Sequence, residues 1–374
     1  MPKTKVLMVA NWSGSGGTEM YLLGLYKHID HSRFDVQFLI NYYTDDGKPA
    51  VQELRKLGAT IHKITFSLSH PKSWPNFGKV RQLLKREHYD IVHIHSHYCE
   101  PIELMARHYG AKVVVHTHMS GWTGRNSLYT NIKRFGYAAP ARFIENRMDA
   151  RLACSKRAGE FRFRRPNFQL AYNGVEVQAF RYQAAMRHKF RKQLGLADST
   201  TAVLHVGRFA AVKNHPMVVR VFAAYHQIHP DSHLILVGSG PLEAEVRREI
   251  AQHNLQAATT IITDMYNVAD FYNAADILLL PSIAEGLGIV LVEAQLNGLP
   301  CLASDTTPKS VFYNSNTEQL PLSASPNTWS KHLVELAKIG RITPSLQLLQ
   351  DYDAAHTAEQ LEDFYDNLLK SPTK

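Results

Sequence analysis

Three glycine-bearing stretches of this chain hold the residues best suited to grip a phosphorylated ligand. Pro281-Ser282-Ile283-Ala284-Glu285-Gly286-Leu287-Gly288-Ile289-Val290-Leu291-Val292-Glu293-Ala294 follows an apolar run and leads into a helical pattern. Its turn offers backbone donors at Gly286, Leu287 and Gly288, and its two carboxylates can accept hydrogen bonds from sugar hydroxyls. Glu285 belongs to the loop and Glu293 lies more than a turn into the helix, so the two are not a hydrolase pair flanking one bond. A helix-start acid and a surface glutamate account for either residue alone. They account poorly for both beside a glycine-rich turn in an otherwise apolar element. Gly207-Arg208-Phe209-Ala210-Ala211-Val212-Lys213-Asn214 sets two cations at the carboxyl end of a predicted strand, where open α/β sheets bind ligands. Arg208 and Lys213 there suit a pyrophosphate that gains charge as it leaves; two solvated surface cations are the plainer reading. Gly14-Ser15-Gly16-Gly17-Thr18-Glu19 opens the first helix, where free N–H groups and a positive dipole end welcome an anion. Its glycine spacing is not the dinucleotide pattern, and a tight strand–helix turn explains it equally well.

The elements that must position these residues alternate along the chain. Val6–Ala10, Val36–Ile40, Ile91–Ile94 and Lys112–Val115 read as buried strands, with helical patterns Glu19–His28, Ala50–Leu57 and Phe77–Glu87 between them. The alternation restarts with strands Ala202–Val206, Leu234–Val237, Thr260–Ile262, Ile277–Leu280 and Pro300–Ala303, and helices Pro216–His229 and Pro241–His253. Two doubly wound α/β domains in tandem follow, residues 1–178 and 179–354, with an amphipathic helix over Ala358–Leu369 to finish. At 374 residues and 45% hydrophobic content, two folded domains are expected.

Cys99, Cys154 and Cys301 are scattered and odd in number, so neither a disulfide framework nor a CxxC zinc site is indicated. No apolar stretch approaches a bilayer span, and Val6–Ala10 is too short for a signal peptide, so a cytoplasmic location is expected. Among the 20 histidines, His93, His95 and His97 alternate on one strand and His116 and His118 on another. Neighbouring imidazoles raise a zinc site, but neither Cys nor a well-placed Asp joins them. They read instead as lining a cleft or meeting local hydrogen bonds. The net charge of +9 makes an anionic partner plausible. Between Lys133 and Arg165, ten basic residues face three acidic ones, with Phe161 and Phe163 among the arginines. An anionic membrane surface fits that cluster; a solvated, salt-bridged face is the plain alternative.

The ordered set of motifs resembles the retaining GT-B glycosyltransferases of family four, especially those of bacterial capsule and exopolysaccharide synthesis. EGLGIVLVEAQLNGLPCLAS (Glu285–Ser304), GRFAAVKN (Gly207–Asn214), LVGSGPLE (Leu236–Glu243) and YNAADILLLPS (Tyr272–Ser282) carry it. GGTE (Gly16–Glu19), ACSKRAG (Ala153–Gly159) and YNGVEVQAFRY (Tyr172–Tyr182) add to it. The resemblance implies two Rossmann-like domains facing a cleft, with the C-terminal helix (355–374) crossing back to the first. It implies that Arg208 and Lys213 hold the donor diphosphate, Glu285 the donor sugar and Glu293 the ribose, with no metal or other cofactor. Gly16, Gly17, Gly238, Gly286, Leu287 and Gly288 would line the donor. A histidine at the exit of the strand beginning at Lys112 would lie near the sugar, His118 in preference to His116. The implied reaction moves a sugar from a nucleotide donor, a UDP-sugar, to a glycan or lipid-linked acceptor with retained configuration. Two departures stand out: Thr263-Asp264 where the family has glycine beside the base, and Thr306–Val311. A sugar-nucleotide epimerase of the same fold is the alternative enzyme. A nucleic-acid-binding protein would need an RNP, KH or helix-turn-helix signature, and none is visible.

Overall fold

The structure, a computed structural model, describes residues 2–12, 16–42, 49–66, 71–96, 99–119, 147–163, 165–263 and 268–371. The chain divides into two compact units, Met1–Val175 with Asp353–Lys374, and Glu176–Tyr352.

The first unit holds a parallel sheet of β1 (Thr4–Trp12), β2 (Phe34–Tyr42), β3 (Thr60–Lys63), β4 (Ile91–Ile94), β5 (Lys112–Thr117), β6 (Ala150–Ala153) and β7 (Gln169–Leu170), in the order β3-β2-β1-β4-β5-β6-β7. Successive strand residues point to opposite faces, and both faces are apolar. Val6, Met8, Ala10, Val36 and Phe38 join one core, while Leu7, Val9, Leu39, Val92 and Ile94 join the other. Burial on both faces explains why these strands read as continuous apolar runs.

The chain returns to this unit through the helix Ala354–Lys370. Asp353 caps it, accepting from His356 N–H at 3.0 Å, and bridges in parallel to Val175. Leu361, Tyr365 and Leu368 enter the first core, and Tyr365 Oη lies 2.6 Å from His93 Nδ1. Glu362 accepts from the Asp30 N–H at 2.7 Å and from Arg33 at 2.8 Å. At Gly174 this helix packs tightly on the chain that follows β7. A β-carbon there would sit 2.0 Å from Thr357 Oγ1 and 2.9 Å from Ala354 Cα.

The second unit holds β8 (Thr201–Val206), β9 (Ser232–Val237), β10 (Thr259–Ile262), β11 (Ile277–Leu280), β12 (Cys301–Ser304) and β13 (Thr317–Leu320), all parallel, in the order β10-β9-β8-β11-β12-β13. In each sheet the winding direction reverses at one pair, β1 with β4 and β8 with β11. That reversal opens a crevice at the strands' carboxyl ends. Both glycine-rich stretches of the second unit leave this pair.

Gly174→Ala should overpack the C-terminal helix against Thr357 and destabilise the first unit by about 1–3 kcal/mol, read as a lower urea midpoint. Gly58, whose β-carbon would meet nothing within 4 Å, lies away from that contact, so alanine there should act only through its backbone conformation.

Candidate active site

The loops leaving β8 and β11 are tied to each other. Ile283 N–H donates to Val212 C=O at 2.7 Å, and the Asn214 amide donates to Pro281 C=O at 3.0 Å. Asn214 adopts left-handed backbone, φ 53°, which turns the chain into the helix His215–Ile228. These ties bring Lys213 to Glu285, Nζ donating to Oε1 at 2.8 Å, with Glu285 only 7% exposed. Arg208 stands exposed at the start of the same loop. One cation is thus held by a carboxylate of the site, while the other faces solvent.

Gly288 has φ 83° and begins the helix Ile289–Leu296. A β-carbon at Gly288 would lie 3.1 Å from Thr307 Cγ2, so the turn needs glycine for conformation and for space. Leu287 is buried beneath the turn. Within the helix, Glu293 Oε2 accepts from Tyr272 Oη at 2.6 Å. Burial pushes the Glu293 carboxyl up to about 7, against the opposing pull of the Tyr272 hydrogen bond and the Lys213 charge. Lys213 therefore acts on both glutamates, and the three form one electrostatic unit. Gly238 has φ 143°, and a β-carbon there would meet Gly207 C=O at 2.1 Å. Phe209 N–H donates to Ser239 C=O at 3.0 Å, and Leu242 N–H to Phe209 C=O at 3.1 Å. The glycines of LVGSGPLE let this loop lie flat on GRFAAVKN.

In the first unit, Gly16 N–H donates to the buried Glu19 carboxylate at 3.0 Å. The positive end of the helix Gly17–His28 already faces a negative group there. Gly17 is exposed. His118 is partly exposed and links two partners, Asn173 Oδ1 at 3.0 Å from Nδ1 and His95 Nδ1 at 2.9 Å from Nε2. His116 is buried, its Nε2 3.2 Å from Ala171 C=O. Burial pushes His93, His95 and His116 well below the usual histidine range, so all three are neutral.

Gly14, Ser15, His97 and Asp264 lie outside the described residues, as do Lys133, Arg134, Arg142 and Arg164 of the basic segment. Within that segment two arginines are not surface cations. Arg151 is buried and donates to Asn167 Oδ1 at 3.2 Å, and Arg162, its side chain 12% exposed, faces Glu103 at 3.8 Å. Sequence reasoning missed Tyr272 and Asn173 as partners of Glu293 and His118. Both lie in quoted motifs, yet only the folded sheets show what their polar atoms reach.

Two family models cover most of the chain: Glycosyltransferase Family 4 over residues 15–179 and Glycosyl transferases group 1 over residues 186–324. Among solved structures, Anabaena Alr3699/HepE in complex with UDP and glucose superposes with a TM-score of 0.79 at 18% identity, covering 97% of this chain and 99% of that one. The chain belongs to the GT-B glycosyltransferases of family four. The EpsF protein of Bacillus subtilis (strain 168) is 28% identical to this glycosyltransferase, covering 97% of the chain and 96% of that protein. The UDP-Gal:alpha-D-GlcNAc-diphosphoundecaprenol alpha-1,3-galactosyltransferase of Escherichia coli is 26% identical, covering 81% of the chain and 80% of that protein. Among the described residues no helix is long and apolar enough to cross a membrane.

The raised Glu293 carboxyl has a stability consequence. Between the ordinary glutamate value and about 7 the folded state binds the proton that the unfolded state has released. Stability contributed by this group is full below that window and falls by up to about 1.4 kcal/mol per pH unit as pH rises through it. Glu293→Gln should flatten this part of the pH dependence in urea unfolding, leaving the similar contribution of Glu103, also raised to about 7 by burial.

Proposed function

We propose that this glycosyltransferase moves a sugar from a UDP-sugar to a glycan or lipid-linked acceptor, with retained anomeric configuration, in cell-surface polysaccharide synthesis. The Lys213–Glu285 pair, 2.8 Å apart beside the reversal of the second sheet, carries this reading. A lysine held by a carboxylate is a preorganised cation. When a diphosphate arrives it exchanges partners at little reorganisation, and the released Glu285 carboxylate accepts from sugar hydroxyls. Arg208 adds a second positive charge from the same loop. The turn at Gly286–Gly288 supplies backbone donors, and Glu293 accepts from the ribose. As the anomeric carbon turns oxocarbenium-like, Lys213 and Arg208 stabilise the departing diphosphate. The acceptor hydroxyl enters on the same face and gives its proton to the leaving phosphate, so neither a protein nucleophile nor a metal is required. Support for uridine comes from relatives whose names include UDP or UDP-Gal.

The glutamates should separate by role. In a thermal-shift panel of UDP-, GDP- and ADP-sugars, the wild type should respond most to a UDP-sugar, since binding to the native state raises stability. Glu293→Ala should weaken UDP itself. Glu285→Ala should leave UDP affinity nearly unchanged while lowering transfer at least about 100-fold, the scale of one lost preorganised group. Equal loss of UDP affinity in both variants would show that the roles are not divided this way.

Peripheral docking on an anionic membrane is part of the same proposal, resting on the exposed Lys156 and Arg165 with Arg157. Each basic residue near such a surface contributes about 1 kcal/mol. Reversing these three charges should cut binding to anionic vesicles at low salt. Wild-type protein that ignores such vesicles, and transfers readily to a soluble acceptor, would remove the membrane from the picture.

A further inference from the structure

We propose that His93, His95 and His116 form a three-histidine site for a borderline divalent cation, zinc foremost, within the first unit. One ring nitrogen from each lies within 4.8 Å of the others, and all three residues are buried. Strand geometry brings them together. His93 lies on β4 and His95 continues it two residues on, so both face one side of the sheet. The β4–β5 register sets Ile94 against Val115, which puts His116 opposite His95 on that same side.

The bonding partners decide which nitrogens carry hydrogen. The Ala171 carbonyl can only accept, so His116 Nε2, 3.2 Å away, holds the proton and Nδ1 is a bare lone pair. His118 Nδ1 donates to Asn173 Oδ1, which leaves His118 Nε2 to accept from His95 Nδ1–H and His95 Nε2 bare. The Tyr365 hydroxyl lies 2.6 Å from His93 Nδ1 and 3.9 Å from Met8 Sδ; turning its hydrogen to the sulfur lets it accept from His93 Nδ1–H, and in that arrangement His93 Nε2 is bare as well. His93 Nε2, His95 Nε2 and His116 Nδ1 are each buried without a hydrogen-bond partner among the described residues. Three neighbouring lone pairs away from water call for a positive centre.

The opposite nitrogens are held by a carbonyl, a hydroxyl and an imidazole, the kind of outer-shell contact that orients metal-ligating histidines. Nitrogen donors without carboxylates favour zinc and its neighbours over magnesium or calcium, which take oxygen. Three protein ligands leave a fourth position for water. The ion fixes His95 and, through it, the ring of His118; the transfer step proposed above does not pass through it.

The test uses the full-length protein, stripped with a chelator and titrated with cobalt(II). One ion should bind, giving the visible absorption of a tetrahedral nitrogen-ligated centre. Three exchangeable hyperfine-shifted imidazole N–H protons should appear, one per histidine. Zinc should displace the cobalt and raise Tm, while magnesium does neither. The H93Q/H116Q variant should lose the cobalt spectrum; if it does not fold, the N–H count in the wild type decides alone. Failure to bind cobalt stoichiometrically, or a centre showing fewer than three such protons, overturns the proposal and leaves a buried water as the group that serves these nitrogens.

Discussion

The hydrogen bond from Ile283 N–H to Val212 C=O, 2.7 Å long, joins loops that come from opposite halves of a sheet. β8 and β11 are adjacent in space, yet β9 and β10 intervene in sequence and lie on the other side of β8. Connections therefore diverge at this pair, which opens a crevice above it. Whatever the loops carry meets there. Lys213 reaches Glu285 because Asn214 has already bonded Pro281 C=O, and Glu293 feels Lys213 because its helix starts from the same turn. The glycines follow from this crowding. Gly238 and Gly240 lie where the loops after β8 and β9 are stacked so closely that a β-carbon would collide with backbone, and at Gly207 one would press on the Lys213 side chain at 3.1 Å.

Most of this was readable in advance where two signals coincided. Continuous apolar runs such as Ile277–Leu280 and Lys112–Val115 mark central strands because both faces are covered, and glycine-rich turns mark where those strands end. β3 and β13, at sheet edges, were missed. Their sequences, Thr60-Ile61-His62-Lys63 and Thr317-Glu318-Gln319-Leu320, are half-exposed and polar, so the apolar signal fades as it should at an edge. The helix Glu100–His108 was missed as well, its apolar face being short.

For the site, residue types and spacing found Lys213, Glu285 and Glu293 but could not say that the lysine serves both acids. That needs a distance, and the distance comes from loops separated by about seventy residues, whose approach is set by strand order. The histidines show the same limit from the other side. Alternation put His93 with His95 and His116 with His118, but absence of Cys or Asp argued against a metal. Hydrogen placement, set by Ala171 and Asn173 and permitted by Tyr365, gives the same residues bare nitrogens that can serve as a donor set.

The returning helix bears on how the chain is made. The second unit, Glu176–Tyr352, is continuous, so all its strands are available once Tyr352 has been synthesised. The first unit opens with β1, yet Leu361, Tyr365 and Leu368 belong to its core and are synthesised only after the whole of the second unit. Domains commonly complete in the order of their synthesis. Here the strands translated first must wait for a helix that follows the whole second unit, and their core lacks Leu361, Tyr365 and Leu368 until it arrives. During that interval the nascent protein holds a finished C-terminal unit and an unfinished N-terminal one, an inverted order that makes the first sheet the natural client of a chaperone.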